Sequence, residues 1–220
     1  MVGDSLPFGR PRYGIQRHST WPYIVKSELF SDLCMRAKGG STSFEVLDEA
    51  RSVAEYWFGL LPERRFDATF VQVGIVDLSP RLVSKRFYRF VAGIPLFSRL
   101  QRNRKLHELY GKPWVPLGQF AQNIRAIDEQ LSRISEHVFY IEIARPEHFF
   151  KENLGDFSES VLLYNKIISG CVGVGRFVSC WDGKPAPDCL LPDGHHLTEA
   201  GHRVVAQGCL SRFCEHVSFP

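Results

Sequence analysis

The run Ala-Thr-Phe-Val-Gln-Val-Gly-Ile at residues 68–75 is a short apolar segment of the kind that forms a buried strand. Similar runs recur along the chain, and the predicted strands are Asp32–Ala37, Ala68–Ile75, Val138–Ile143 and Arg176–Cys180. Longer amphipathic stretches alternate with them, and the predicted helices are Trp21–Phe30, Ser43–Leu60, Leu117–Ser135, Ser158–Cys171 and Thr198–His216. This alternation predicts an α/β fold with a mostly parallel sheet and helices on both faces.

Length and composition are those of one globular domain. The chain has 220 residues, of which 44% are hydrophobic and 23% charged, so we expect a single domain over residues 1–220 with a substantial core. The six cysteines form no Cys-x-x-Cys pair and follow no secretory segment, which favours free thiols in a reducing, cytoplasmic location. No stretch reaches the roughly 20 apolar residues that a membrane-spanning helix needs. Oligomeric state cannot be predicted.

A basic and aromatic segment has no clear place in the strand and helix pattern. It runs from about residue 78 to 116, directly after a predicted strand, and connections of this length are usually functional or flexible. Between Leu78 and His107 it carries eight basic residues and no acidic one. We interpret it as an insertion of short helical pieces. It forms either a solvated surface over buried aromatics or a substrate wall for an anionic partner such as an acidic polysaccharide, a phosphorylated acyl carrier or a membrane surface.

The two ends of the chain carry side chains that could work together as a nucleophile and its base. Gly3-Asp4-Ser5 places a hydroxyl in a turn, although on its own this pattern is more often plain turn chemistry or a helix cap. Asp193-Gly194-His195-His196 precedes the last predicted helix. A serine needs an imidazole to take its proton, and a carboxylate that fixes the tautomer of this imidazole. Ser5, His196 and Asp193 are therefore the candidates, with His195 and His202 as competitors of His196.

Acyl transfer also needs backbone N–H groups aimed at the oxyanion, and glycines at the ends of strands usually supply them. Gly39-Gly40 follows one predicted strand and Gly74 lies at the end of another. Either could equally be an ordinary turn.

Taken in order, these motifs resemble the SGNH or GDSL hydrolase family over nearly the whole chain. The family's blocks are similar to Gly3-Asp4-Ser5-Leu6, the region of Gly40, Gly74-Ile75-Val76-Asp77 and Asp193-Gly194-His195-His196. The resemblance implies a flavodoxin-like three-layer α/β/α sandwich, Ser5 as nucleophile, His196 as base and Asp193 as its partner. It also implies that Ser5 and Gly40 donate backbone hydrogen bonds to the oxyanion, with Gly74 and Asp77 in the third block.

Two departures from the family pattern affect this prediction. Val76 replaces the asparagine whose amide completes the oxyanion hole, and loss of such a donor costs about 2.7–4 kcal/mol in another serine hydrolase. Possible substitutes are Asn123, Gln72 and above all Arg81, whose guanidinium could also pair with an anionic or polyhydroxyl substrate. The second departure is that only Met1 and Val2 precede the first motif, where the family has a full strand. We expect a reading frame that starts further upstream, with later contacts holding the turn as the alternative.

Other functions have less support in the sequence. Gly173-Val174-Gly175 lacks a third glycine and lies between a helix and a strand, the wrong order for a dinucleotide loop, so we expect no cofactor. We also expect no metal, because no carboxylate or thiolate spacing supports the histidines, and no nucleic-acid partner. The sequence thus predicts ester hydrolysis or O-acyl transfer, with acetyl the favoured acyl group, on a carbohydrate or other small ester. The alternative is a carbohydrate-binding or assembly protein with impaired catalysis.

Overall fold

A five-stranded parallel sheet forms the centre of the molecule in a computed structural model, which describes residues 1–60, 63–181 and 185–217. The strands are β1 (Val2–Gly3), β2 (Arg36–Ala37), β3 (Phe66–Gln72), β4 (Ser135–Ile141) and β5 (Phe177–Val178). Their spatial order is β2-β1-β3-β4-β5, which is the flavodoxin-like order. The predicted fold class is confirmed.

Helices pack on both faces of this sheet. The longer ones are α1 (Trp21–Glu28), α2 (Ser43–Leu60), α7 (Leu117–Ser132), α9 (Ser158–Val172) and α10 (Glu199–His216). The shorter ones are α3 (Ile75–Leu78), α4 (Lys85–Val91), α5 (Pro95–Leu100), α6 (Arg104–Tyr110) and α8 (His148–Leu154). The five predicted helices are the five long ones, and they differ from the prediction only at their ends. Helix α8 was not predicted.

Three of the four predicted strands are shorter than the sequence pattern suggested, whereas β4 covers Ser135–Ile141 rather than Val138–Ile143 and is one residue longer. Strand β2 covers Arg36–Ala37 rather than Asp32–Ala37, because β1 offers it only two partner residues, Val2 and Gly3. Strand β3 ends at Gln72, since the chain turns at Gly74 with φ 129° and continues as α3. A positive φ of this kind is readily adopted only by glycine.

Alternate side chains of the central strands enter two separate cores, as the two-residue period of a strand requires. Val71 and Tyr140 face α2, α7 and α9, where Ile124 is fully buried. Phe70 and Phe139 point to the other face, towards α1 and α10, and their rings stack with centroids 5.3 Å apart. This packing fixes the carboxyl ends of the strands, where the candidate residues lie.

The basic and aromatic segment forms α4, α5 and α6, as the predicted short helical pieces. Tyr88 and Phe97 pack edge to face with ring centroids 6.0 Å apart, whereas Phe87 and Phe90 are exposed. Tyr88 and Phe97 are therefore only partly buried, and other aromatic residues of the segment lie on its surface. Throughout the described residues, no helix combines the length and apolar character needed to cross a membrane.

Candidate active site

The first motif lies at the carboxyl end of β1, which is an interior strand of the sheet. Gly3 lies between Ala37 of β2 and Gln72 of β3, and the backbone N–H of Asp4 donates to Gln72 O at 3.0 Å. The Asp4 carboxylate then accepts from the N–H of Leu6 at 3.0 Å, which closes a tight turn around Ser5. Pairing with two strands and this turn together orient the Ser5 side chain.

The structure brings the two chain ends together. Ser5 Oγ lies 3.1 Å from His196 Nε2, and His196 Nδ1 lies 2.9 Å from Asp193 Oδ2. Both distances are within the hydrogen-bond reach expected of a nucleophile, its base and the group that orients the base. The three predicted residues thus form a continuous hydrogen-bonded chain that ends at the Ser5 hydroxyl.

The loop that carries Asp193 and His196 is held by its own hydrogen bonds. Asp193 Oδ1 accepts from the backbone N–H groups of His195 and His196 at 3.2 and 3.0 Å. Gly194 adopts φ 83°, and its carbonyl accepts from the N–H of Glu147 at 2.9 Å. Helix α10 begins directly after this loop, with Thr198 as its N-cap residue. The carboxylate therefore positions both the backbone and the ring of His196.

The protonation state of Asp193 determines the tautomer of His196. Burial raises the pKa of the Asp193 carboxyl, but the hydrogen bonds from His196 and the positive potential of both imidazoles bring it well below its usual range. Asp193 is therefore ionised at neutral pH, and a carboxylate can only accept. The proton on the His196 ring then lies on Nδ1, which leaves the lone pair of Nε2 towards Ser5.

The two competing histidines occupy different environments. The ring of His195 stacks on Phe150 with a centroid distance of 4.4 Å, and burial together with the charge of His196 lowers its pKa to about 4. His202 is buried in α10, where its Nδ1 accepts from the N–H of Trp21 at 3.3 Å. Burial lowers the pKa of His202 to about 4 as well. Among the three, His196 is the one that contacts the Ser5 hydroxyl.

A cavity of about 550 Å³ opens above Ser5 and His196. Gly39 and Gly40 line it at the end of β2, with Gly40 at φ 73°. The basic and aromatic segment adds Arg81, Lys85, Tyr88 and Trp114. Segment 78–116 is thus a wall of the same cavity that holds the Ser5 hydroxyl.

The third motif lies partly in the cavity wall and partly beneath it. Val76 lines the cavity, whereas Gly74 packs below it, where an added Cβ would overlap the side chain of Ile143. Asp77 is fully buried and accepts from the N–H of Ser43 at 2.8 Å. Burial raises the pKa of Asp77 to about 7, against the opposing hydrogen bonds from Ser43. Gly74 and Asp77 therefore support the floor of the cavity.

The three candidate replacements for the missing amide donor lie in different places. The Asn123 amide donates to Ser43 Oγ at 2.8 Å in the interior, and Gln72 Oε1 accepts from Trp21 Nε1 at 2.8 Å on the other side of the sheet. Arg81 lines the cavity itself. Of the three candidates, Arg81 is the one that faces the space in which a substrate would bind.

One group of side chains has the spacing of a metal site. Asp193, His195 and His196 present ligand atoms that lie within 4.8 Å of one another. Two of these residues, however, already share the hydrogen bond that connects Asp193 to His196. A bound metal ion would displace the proton on which the tautomer of His196 depends.

Several cavity residues were not foreseen from the sequence. Trp114 lies in the segment for which the sequence predicts only short helical pieces without bounds, and Phe150 lies in the unpredicted helix α8. Lys38 directly follows β2 and Glu45 lies in α2, and nothing local distinguishes them from other charged surface residues. Their placement depends on tertiary packing, so no sequence motif identifies them.

No family model matches the chain, and no curated protein matches its sequence. Solved structures do match. TesA aligns over 98% of this chain and 97% of its own, with a TM-score of 0.59 and 11% identity. A member of the lipolytic G-D-S-L family from Veillonella parvula aligns over 95% and 93%, with a TM-score of 0.55 and 11% identity. The chain has the SGNH hydrolase fold.

A third structure with the SGNH fold is a mutant of Axe2, an acetyl-xylooligosaccharide esterase from Geobacillus stearothermophilus. It aligns over 96% of this chain and 91% of its own, with a TM-score of 0.55 and 14% identity. At such identities the likeness concerns the fold. The chemistry of this chain depends on its own side chains.

Proposed function

We propose that the protein is a serine-dependent esterase or O-acyltransferase that works through an acyl-Ser5 intermediate. The observation that carries this proposal is the hydrogen-bonded series from Ser5 Oγ through His196 to Asp193, with distances of 3.1 and 2.9 Å. On the SGNH fold this arrangement opens into a cavity rather than into the core. A structural hydrogen-bond network would not require an accessible hydroxyl.

In the first half of the reaction Ser5 Oγ attacks the ester carbonyl while His196 Nε2 takes its proton. The negative charge that develops on the carbonyl oxygen is stabilised by the backbone N–H groups of Ser5 and Gly40. Asp193 stays ionised and stabilises the imidazolium ion. Collapse of the tetrahedral intermediate breaks the bond to the alcohol, which leaves with the proton from His196.

In the second half an acceptor hydroxyl attacks the acyl-Ser5 ester and gives its proton to His196. The bond between the acyl group and Ser5 Oγ then breaks, and His196 returns the proton to Ser5 Oγ. Water as acceptor releases the acid, and a sugar hydroxyl produces a new ester, so the same side chains serve hydrolysis and transfer. We favour an acetyl group on a carbohydrate. The similar fold of an acetyl-xylooligosaccharide esterase and the open cavity lined by Lys38, Ser41 and Arg81 support this choice.

A binding or assembly protein without efficient catalysis is the second candidate, and a specific residue favours it. Val76 lines the cavity at the motif position where the family has an amide donor, and a valine side chain cannot stabilise an oxyanion. This candidate keeps the cavity and the fold but assigns no covalent chemistry to Ser5.

A fluorophosphonate probe separates the two candidates, because it reacts covalently with an activated serine. We expect labelling of the wild-type protein, loss of labelling in Ser5→Ala, and a strong decrease in His196→Ala. Ser41→Ala is a matched control, since Ser41 lines the same cavity without contacting an imidazole among the described residues. A wild-type protein that stays unlabelled between about pH 6 and 9 would support the binding protein.

A further inference from the structure

Arg81 places a positive charge in the cavity, and the described residues supply no counter-ion for it. Its Nε atom is buried and has no hydrogen-bond partner, and no carboxylate in the described part of the chain forms an ion pair with it. Burial lowers the pKa of the Arg81 guanidinium. Even so, a guanidinium keeps its proton under all ordinary conditions. A desolvated cation of this kind is unfavourable until an anion pairs with it.

The surrounding contacts hold this guanidinium in place. The backbone of Arg81 exchanges hydrogen bonds with Lys112, at 2.9 Å from Arg81 N to Lys112 O and 3.0 Å in return. The guanidinium carbon lies 4.8 Å from the ring centroid of Trp114, whose Nε1 donates to Val83 O at 2.8 Å. The cation therefore lies on an aromatic ring that is itself anchored, which reduces the entropy lost on binding a ligand.

Other charged groups in the cavity do not neutralise Arg81. Lys85 Nζ lies 2.6 Å from Glu45 Oε1, so these two cavity residues pair with each other. Lys38 adds a further positive charge to the wall, and His195 is neutral at physiological pH because its pKa is lowered to about 4. The residues that line the cavity thus carry a net positive charge, from Arg81 and Lys38.

We infer that Arg81 forms an anion subsite beside Ser5, and that the ester substrate carries an anionic oxygen group, either a carboxylate or a phosphate. A guanidinium binds both groups through paired N–H donors. The carboxylate source is an acidic sugar, and the phosphate source is a phosphorylated sugar or carrier. This inference rests on the proposed function, since it names the substrate class of the same cavity.

The first test measures binding without turnover, in the Ser5→Ala protein. Glucuronate and inorganic phosphate are titrated by calorimetry, and the double variant Ser5→Ala/Arg81→Gln is compared with it. We expect the loss of Arg81 to weaken binding at least tenfold, and Ser5→Ala/Arg86→Gln to bind as before, because Arg86 is an exposed residue of the same segment. Equal binding by all three proteins overturns the inference. Tighter binding of glucuronate or of phosphate identifies the source.

The second test compares catalysis on matched esters. Acetylated glucuronate is compared with acetylated glucuronamide, and acetylated glucose 6-phosphate with acetylated glucose. We expect Arg81→Gln to lower kcat/KM for the charged ester at least tenfold more than for its neutral counterpart, with partial recovery in Arg81→Lys. Equal losses on both esters would mean that Arg81 acts on the oxyanion instead. Should Arg81→Gln not fold, competitive inhibition of the wild type by phosphate, reduced in Arg81→Lys, decides the question.

The two proposals fail in different ways. If the protein binds anions through Arg81 but releases no acetate from any ester, the proposed function is overturned and the subsite stands. If the protein hydrolyses neutral esters through Ser5 but shows no binding of glucuronate or phosphate that depends on Arg81, only the subsite is overturned.

Discussion

Ser5 Oγ lies 3.1 Å from Nε2 of His196, although the two residues are separated by 191 positions in the chain. The contact exists because β1 lies in the interior of the sheet, between β2 and β3, while the loop before α10 closes over the same edge. Each partner is fixed independently, Ser5 by the turn at Asp4 and His196 by the carboxylate of Asp193. The geometry of the pair therefore depends on the whole sheet rather than on a local motif.

Replacing Asp193 with asparagine should impair the base without removing it. An asparagine amide can donate to Nδ1 of His196, which favours the tautomer with its proton on Nε2 and blocks proton transfer from Ser5. We expect kcat for ester hydrolysis to fall roughly 10⁴-fold, as it does for the equivalent change in a serine protease. Asp188→Asn, an exposed change in the same segment, should have little effect. A similar kcat for Asp193→Asn and wild type would exclude Asp193 from the mechanism.

Introducing the missing amide at Val76 should increase activity. Val76 lines the cavity at the start of α3, and an asparagine there would supply a side-chain donor for the oxyanion. One such donor is worth about 10²–10³ in kcat in another serine hydrolase, so we expect a gain of roughly tenfold or more. Val76→Ala controls for added space, because it enlarges the cavity without a donor. Equal rates in the Asn and Ala variants would show that residue 76 does not face the oxyanion.

The pH dependence of stability should reveal the buried Asp4 carboxyl. Burial raises the pKa of Asp4 from 3.8 to about 7, and the charge of Asp77 contributes to the shift. The folded state therefore binds the proton more tightly than the unfolded state, and the resulting stabilisation, complete below about pH 4, is lost as the pH rises to about 7. Asp4→Asn removes the penalised charge. Its free energy of unfolding should exceed that of the wild type by about 1 kcal/mol or more at about pH 8, and by much less at about pH 4.

Urea unfolding at several pH values measures this difference directly. Asp67→Asn is the control, since Asp67 is an exposed carboxylate on β3. Its difference from the wild type should stay constant with pH. A constant difference for Asp4→Asn too would show that the Asp4 carboxyl is ionised in the folded protein throughout the range.

Much of this architecture could be predicted from the sequence because it depends on local periodicity. The apolar run at 68–75 and the amphipathic pattern from Ser43 identify a strand and a helix directly, and the order of such elements indicates the parallel sheet. The meeting of Ser5 with His196 was predicted from the imidazole that a nucleophilic serine needs and then from the family resemblance, since no local pattern relates two residues at opposite ends of a chain. In both cases the signal lies in short motifs or periods.

What could not be predicted depends on packing between distant segments. Trp114 enters the cavity because its indole donates to Val83 O and its ring lies under Arg81. Phe150 reaches His195 from a helix whose sequence contains no strong periodic signal. Aromatic residues of this kind look the same in sequence whether they are exposed, as Phe90 is, or line a site. Only the three-dimensional arrangement separates them.

A methyl group at Gly194 should disrupt the site by displacing its loop. Gly194 has φ 83°, and a Cβ there would overlap the carbonyl oxygen of Glu147. Gly14→Ala is a matched control, because Gly14 has φ 78° and open space around its Cα. The control should cost about 1–2 kcal/mol of stability from backbone strain alone. Gly194→Ala should cost more in thermal unfolding and should also reduce fluorophosphonate labelling of Ser5, because His196 moves with the loop. Equal stability losses in the two variants, with labelling unchanged, would show that the close approach of Gly194 to Glu147 does not hold His196 in place.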